Sequence, residues 1–311
     1  MEVGHMKSEP DLIERWEADA RTRGLVKITI DGYRWALKDF QKFSVERGRR
    51  LKDTEKMMLR SYIDHCRSRG LTTKTIDGRL GAVSSFFEFL IFEGIRKDNP
   101  VGVVRKRYLT PYKSDSERQT HQLISIEDAA RIVRFYPDPR DQAMMALLFK
   151  TGIRRGELLS MEIDDINWKN QSILLKPKKK RSNRIVFFDD ETAYVLRAWL
   201  DSRAARSPLD SALWISSWGK RVDHGALDYV IMKAAIRLGL HRPESPRMED
   251  HFSAHCCRHW FSTHLFRAGM EERYISWLRG DAPKGSIGQY IHINPEDVRR
   301  AYLAHIPQLG I

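Results

Sequence analysis

A mainly α-helical fold with a small antiparallel β-sheet, α+β in class, is what this sequence predicts, and three observations predict it. The chain has 311 residues, enough for about two domains at roughly 100–200 residues each. Apolar residues recur at the three-and-four spacing of one helical face through the first third and again through much of the remainder. Two short β-rich runs in the second half flank a polar turn, the pattern of a single hairpin rather than a large sheet.

Taken in order, Ile30, Tyr33, Leu37 and Phe40 line one helical face, with Thr29 as the expected N-cap. A short helix is expected from Glu55 to Arg67. Ile76, Leu80, Val83, Phe87 and Leu90 form the next, entered through Leu71-Thr72-Thr73, stopped by Gly94 and followed by a turn at Asn99-Pro100. These elements predict an all-helical domain over residues 8–104, bundle-like in class. Periodicity is lost over 105–123, a basic, polar stretch carrying Pro111 that reads as a linker. Its cations Arg105, Lys106 and Arg107 can track a phosphate backbone, or simply be solvated. A second domain, mixed but mostly helical, is expected over 124–311. Ser125-Ile126-Glu127-Asp128 opens it with acidic residues in a helix's first turn. Met144–Lys150 leads to a turn and helix at Thr151-Gly152, and strands Ser172–Leu175 and Arg184–Phe188 enclose the polar segment 177–183. Helices return at Asp190–Ser202, near Gly225–Leu238, and at Ser253–Ala268.

The charge is lopsided: 54 Lys and Arg against 41 Asp and Glu leave +13, spread along the chain. A folded basic protein of this kind commonly faces a polyanion, nucleic acid first. The three cysteines are odd in number and two are adjacent, where a disulfide would be strained, which argues for a reducing compartment and a cytoplasmic place. No apolar run approaches the roughly 20 residues of a membrane span, and no signal peptide is recognisable; no membrane partner is expected.

Four local patterns carry possible chemistry. In Thr151-Gly152-Ile153-Arg154-Arg155-Gly156-Glu157-Leu158, a Gly turn aims an Arg, and Arg154 and Glu157 share a helical face, so that Glu157 can hold the guanidinium; an ordinary surface ion pair is the plainer explanation. The hairpin tip Pro177-Lys178-Lys179-Lys180-Arg181-Ser182-Asn183-Arg184 can enter a DNA groove, or be a solvated charged turn. In His255-Cys256-Cys257-Arg258-His259, His255 and Arg258 share a face, pairing a proton carrier with a phosphate clamp. Consecutive helical residues point about 100° apart and cannot converge on one metal; His255 and His259, at i and i+4, could, but without an HExxH signature or a second Cys pair, and Cys256 and Cys257 are expected to face the core. Lastly, Arg279-Gly280-Asp281 precedes a glycine-rich stretch that presents Tyr290 within Gln289-Tyr290-Ile291-His292. Together these residue types supply what metal-free phosphodiester cleavage needs: a nucleophile, a proton donor for the leaving oxygen, and cations on the phosphoryl oxygens. Tyrosine, with an unperturbed pKa near 10, needs a base or positive potential to react.

In this order the motifs resemble those of the tyrosine recombinases, the phage integrase family, as found among archaeal and mobile-element integrases. The family's catalytic domain runs Arg, Lys, His-x-x-Arg, His or Trp, Tyr. The matching positions are Arg154 in TGIRRGEL, Lys178 in PKKKRSNRIVFF with Lys179 as the alternative, His255 and Arg258 in HCCRH, and Tyr290 in QYIHI; Glu157 matches the acidic residue after the first Arg. Asp281 stands where the family has His or Trp, and Arg279 or Lys284 is expected to take over that phosphate contact, with Asp281 positioning one of them; Asp281→His is expected to retain activity.

The resemblance implies a core-binding (SAM-like) domain followed by a catalytic domain of the DNA breaking–rejoining type. It implies attack by Tyr290 on DNA at a specific double-stranded site, a 3′-phosphotyrosyl intermediate, Lys178 as proton donor to the leaving 5′-oxygen, His255 assisting at the tyrosine, and Arg154 with Arg258 on the non-bridging oxygens. It further implies a homo-tetramer on DNA, monomer or dimer in solution, that exchanges strands through a Holliday junction with no metal, ATP or other cofactor. The tail, Tyr302–Ile311, is expected to dock on a neighbouring protomer, with a fold-back onto its own domain as the alternative. A type IB topoisomerase-like enzyme and an inactive, DNA-binding regulator are the competing functions.

Overall fold

The computed structural model describes residues 9–109, 122–176, 184–206, 208, 210–245, 247–281 and 293–311, and the chain divides into two compact units, Met1–Glu117 and Arg118–Ile311. The first is helical: α1 (Glu9–Thr22), α2 (Lys27–Val45), α3 (Lys56–Ser68), α4 (Thr73–Phe92) and α5 (Val101–Tyr108). Thr72 caps α4 by accepting from the Thr75 N–H, and Gly94 stops it at φ +69°. The α2 helix starts one turn earlier than Thr29 suggests, capped at Val26 without a side-chain bond. Trp16, Leu37, Phe40, Phe43, Tyr62, Phe86 and Phe87 fill its core. Asp39 accepts from the Tyr62 hydroxyl (2.7 Å), Arg69 (3.0 Å) and the buried Arg79 (2.5 Å), so that core's edge is closed by a paired charge.

The expected linker begins as helix. Arg105 lies in α5, where its guanidinium is bound bidentately to Asp77 at 2.7 Å, which also raises its pKa. Lys106 and Arg107 are exposed on the same helix. Loss of apolar periodicity did not mark the helix end, because α5 is short and buries little more than Val101 and Val104.

The second unit is built around α7 (Pro139–Thr151). Every residue from Ala143 to Thr151 is buried, so this stretch of the helix is enclosed on all sides. Against it pack α6 (Ile126–Arg134), α9 (Asp190–Ala204) and α11 (Ala254–Arg267), with α8 (Arg155–Leu159), α10 (His224–Arg237), α12 (Glu272–Arg279) and α13 (Pro295–His305) around them. Ser125 caps α6 by accepting from the Asp128 N–H. The antiparallel sheet has three strands in the order β1 (Ile166–Asn167), β2 (Ser172–Leu175), β3 (Arg184–Phe187), with Ile173 opposite Val186 and Leu175 opposite Arg184. Cys256 and Cys257 face the core, as expected. Among the described residues no helix is long and apolar enough to cross a membrane.

The C-terminal residues fold back onto their own unit rather than leaving it. Lys150, fully buried at the end of α7, donates to Asp189 and Glu191 (2.5 Å each) and to the Pro307 carbonyl (2.7 Å). Glu191 in turn accepts the main-chain N–H groups of Leu309 (2.8 Å), Gly310 and Ile311 (3.3 Å), while Arg134 donates to the Leu309 and Gly310 carbonyls. Ile306 and Leu309 are buried. Replacing Lys150 by Met strands two carboxylates in this socket; the variant is expected to lose about 3–5 kcal/mol of unfolding free energy in urea melts.

Candidate active site

The site is assembled at helix ends. The α7 helix stops at Gly152, which has φ +58° and lies so close to Phe261 of α11 that a Cβ would sit 2.4 Å from its ring. Only glycine meets both demands. The turn it makes sets Arg154 at the N-cap of α8, where the Arg154 N–H donates to Glu157 Oε2 at 2.7 Å. On α11, Arg258 is 3% exposed, and its side chain spans the C-termini of two helices: Nη1 donates to the Gly152 carbonyl (2.6 Å) and Nη2 to the Arg279 carbonyl (2.8 Å). These are carbonyls that helix ends leave unpaired, at the negative poles of the helix dipoles, a natural seat for a cation.

Arg154 reaches the same place from α8. Its Nη1 donates to the Arg279 carbonyl (3.2 Å) and to Glu157 Oε1 (3.3 Å). Asp281, just beyond the end of α12, puts Oδ1 at 3.2 Å from Arg258 Nη2 and 3.5 Å from Arg154 Nη2, and Oδ2 at 2.8 Å from Arg279 Nε. Three guanidiniums therefore meet one carboxylate. Burial first, then the charges of Arg154 and Arg279, push the Arg258 pKa down to about 9, against the pull of Asp281; Arg258 stays a cation at neutral pH.

Arg184 closes the basic hairpin segment and was given no role of its own by the sequence, yet it is central. It opens β3, is buried, binds Glu157 bidentately (2.7 and 2.9 Å), and donates from Nε to the Leu278 carbonyl of α12 at 3.0 Å. It lies under Gly280, whose φ is +61° and whose Cβ would come within 2.7 Å of Arg184 Cδ. Phe187 stacks on Trp277 (6.3 Å between centroids), joining β3 to α12 a second time. So Glu157 holds Arg154 mainly through its main chain, and gives its carboxylate chiefly to Arg184. The available signal was a charged residue at the head of an otherwise apolar strand run, Arg184-Ile185-Val186-Phe187.

The structure thus brings together Arg154, Glu157, Arg258, Arg279 and Asp281, with His255 exposed one turn before Arg258 on the same helix. Lys178, Lys179, Lys180, Lys284 and Tyr290 lie outside the described residues; the strands on either side of the lysine tip are paired antiparallel. Tyr302 is fully buried and donates to the Lys150 carbonyl at 2.9 Å, so it is no substitute nucleophile.

Burial alone would raise the Glu157 carboxyl. The bond from Arg184, the Arg154 N–H and both guanidinium charges outweigh it and hold the pKa at about 2, against 4.5 for a free glutamate. On acidification the unfolded chain takes up this proton first. The pair's contribution is therefore complete above about pH 5 and is lost as pH falls toward 2. Glu157→Gln should be less stable than the parent by about 3 kcal/mol at pH 7, with the gap closing between pH 5 and pH 2 in denaturant titrations.

Two family models match the chain: the phage integrase family over residues 117–297, and the N-terminal SAM-like domain of phage integrases over 13–94. Among curated proteins, the tyrosine recombinase XerC of Haemophilus influenzae (strain PittEE) is 28% identical over 192 residues, 62% of this chain and 60% of its own, so that alignment spans less than two thirds of the relative. The tyrosine recombinase XerD of Ralstonia nicotianae is 27% identical over 290 residues, 92% of this chain and 90% of its own. Among solved structures, the XerH site-specific recombinase bound to a palindromic difH substrate superposes with a TM-score of 0.68 at 18% identity, covering 96% of this chain and 82% of that one, a likeness of fold. With more than half its length matched by the family's own model, the chain belongs to the phage integrase family.

Proposed function

We propose that the protein is a site-specific tyrosine recombinase that cleaves and rejoins double-stranded DNA. The observation that carries this reading is the convergence of Arg154 and Arg258, from separate helices, on the same two oxygens: the Arg279 carbonyl and Asp281 Oδ1. Two guanidiniums that converge on one carboxylate oxygen can share a phosphoryl oxygen in the same way. Membership of the phage integrase family and the names of the relatives support the same reading; fold alone would not.

In the proposed reaction the Tyr290 oxygen attacks the scissile phosphorus, the new O–P bond forming as the bond to the 5′-oxygen breaks. Lys178, with Lys179 as the alternative, gives the leaving oxygen its proton, and His255 assists proton transfer at the tyrosine. Arg154 and Arg258 hold the charge that develops on the phosphoryl oxygens. The phosphotyrosyl ester conserves the bond energy, so rejoining needs no ATP, and the cations do the work a metal would otherwise do. Lys106, Arg107, Lys179 and Lys180 are proposed DNA-backbone contacts; Arg105, already bound to Asp77, is the weakest of the set. Strand exchange would proceed through a Holliday junction in a homo-tetramer, with the helical domain over 8–104 and the catalytic domain over 124–311 both on the duplex.

The test is a nicked suicide substrate carrying the recombination site, incubated in EDTA. A denaturation-resistant protein–DNA adduct is expected, absent in Tyr290→Phe although that variant still shifts DNA in gels. An adduct that survives in Tyr290→Phe refutes the assignment of the nucleophile. A salt-sensitive shift with no adduct from the parent protein identifies a DNA-binding regulator instead. Relaxation of one duplex without joining two identifies a topoisomerase.

A further inference from the structure

Asp281 departs from the family pattern, and its placement has a specific form. Gly280 turns the chain at the end of α12, and the Asp281 N–H is tied back to the Ser276 carbonyl at 3.1 Å. This fixes the residue's main chain beside the two arginines. Its Oδ1 then sits between the guanidiniums of Arg154 and Arg258, and its Oδ2 rests against Arg279. An ionised carboxylate only accepts hydrogen bonds and carries the same charge as a phosphodiester. It cannot assist the phosphate as His or Trp would; it can only take the phosphate's place or move away from it.

We propose that Asp281 is an internal occupant of the anion pocket: without DNA its carboxylate stands where a phosphoryl oxygen binds, and DNA must displace it. This rests on reading Arg154 and Arg258 as the phosphate clamp. The arrangement has a physical motive. Three guanidiniums brought this close repel one another, more so around an Arg258 that is 3% exposed, and an anion among them cancels that repulsion. It also has an exit. The Asp281 side chain is 35% exposed, and its contact with Arg279 gives the carboxylate a partner to keep when it swings off the other two. The pocket is thereby available to a phosphate only in the fraction of molecules whose carboxylate has moved, which lowers apparent affinity by that fraction. Selectivity follows: an anion that brings more contacts, such as a phosphodiester in a docked duplex, displaces the carboxylate where a free ion does so poorly.

The sign of one measurement separates this from a purely supporting role. If Asp281 only braced the arginines, removing its charge would let them splay and weaken anion binding. If it occupies the pocket, removing its charge strengthens binding. Inorganic phosphate is titrated into DNA-free protein at constant ionic strength, with affinity read by calorimetry and by the rise in melting temperature. Asp281→Asn, near-isosteric and neutral, is expected to bind phosphate about tenfold more tightly than the parent. Adding Arg258→Ala should abolish the gain, assigning it to this pocket. Asp281→Ser serves as a second variant; melting at low temperature without phosphate and recovery with it would equally mark a pocket that needs an anion. Unchanged or weaker phosphate binding in both variants, or unfolding that phosphate does not reverse, overturns the proposal. Because no DNA is present, this result is independent of the suicide-substrate assay. Adduct formation by the parent without the phosphate gain sinks the internal occupant alone. A phosphate gain without any adduct leaves the pocket and sinks the recombinase reading.

Discussion

The buried pair between Glu157 and Arg184 is the interaction on which the rest of the site depends. One carboxylate is shared by a guanidinium from β3 and a main-chain N–H from the start of α8, and the same guanidinium reaches the last turn of α12. Three elements far apart in the chain are thereby held in one register. Such a pair contributes little net stability over an apolar substitute, since both charges had to leave water. What it supplies is direction: a bidentate guanidinium–carboxylate contact has essentially one geometry, and it decides where Arg154 stands.

Main-chain oxygens do much of the remaining positioning. Arg258 is seated on the terminal carbonyls of α7 and α12, and Arg154 shares one of them. Carbonyls at helix ends are present whatever the side chains are, so the cation cluster depends on where helices stop as well as on Glu157 and Asp281. This explains the weight carried by Gly152 and Gly280. Each ends a helix in the left-handed region while a neighbouring side chain, Phe261 or Arg184, fills the space a Cβ would need.

The sequence was most readable where local rules decide the outcome. Thr72, Ser125 and the Gly94 stop behave as caps and breakers should, and His255 and Arg258 share a helix as their spacing suggests; Arg154, expected on one helical face with Glu157, is instead the extended N-cap before α8. It was least readable where partners are distant. Arg184 meets Glu157 across 27 positions and Lys150 meets Asp189 across 39, and nothing local announces either meeting. A lysine closing the apolar run Ala143–Phe149 and an acidic cluster at 189–191 were each visible, but only the packing of α7 against α9 joins them. The two-residue β1 is too short to leave a pattern, and α12 hides beside a glycine-rich stretch. The α13 helix went unpredicted although Asn294-Pro295 marks its start, an N-cap followed by proline in the first turn.

The way Glu191 holds the end of the chain has a consequence for sequence drift. It grips Leu309, Gly310 and Ile311 by their main-chain N–H groups, and Arg134 grips the carbonyls beside them. A latch that reads the backbone makes no demand of its own on the side chains it holds. Exchange at these positions is limited instead by packing: Leu309 is buried, Ile311 lies against the core, and Gly310 holds φ +65° with Arg134 where a Cβ would stand. Proline alone, having no N–H to offer, is excluded at all three places.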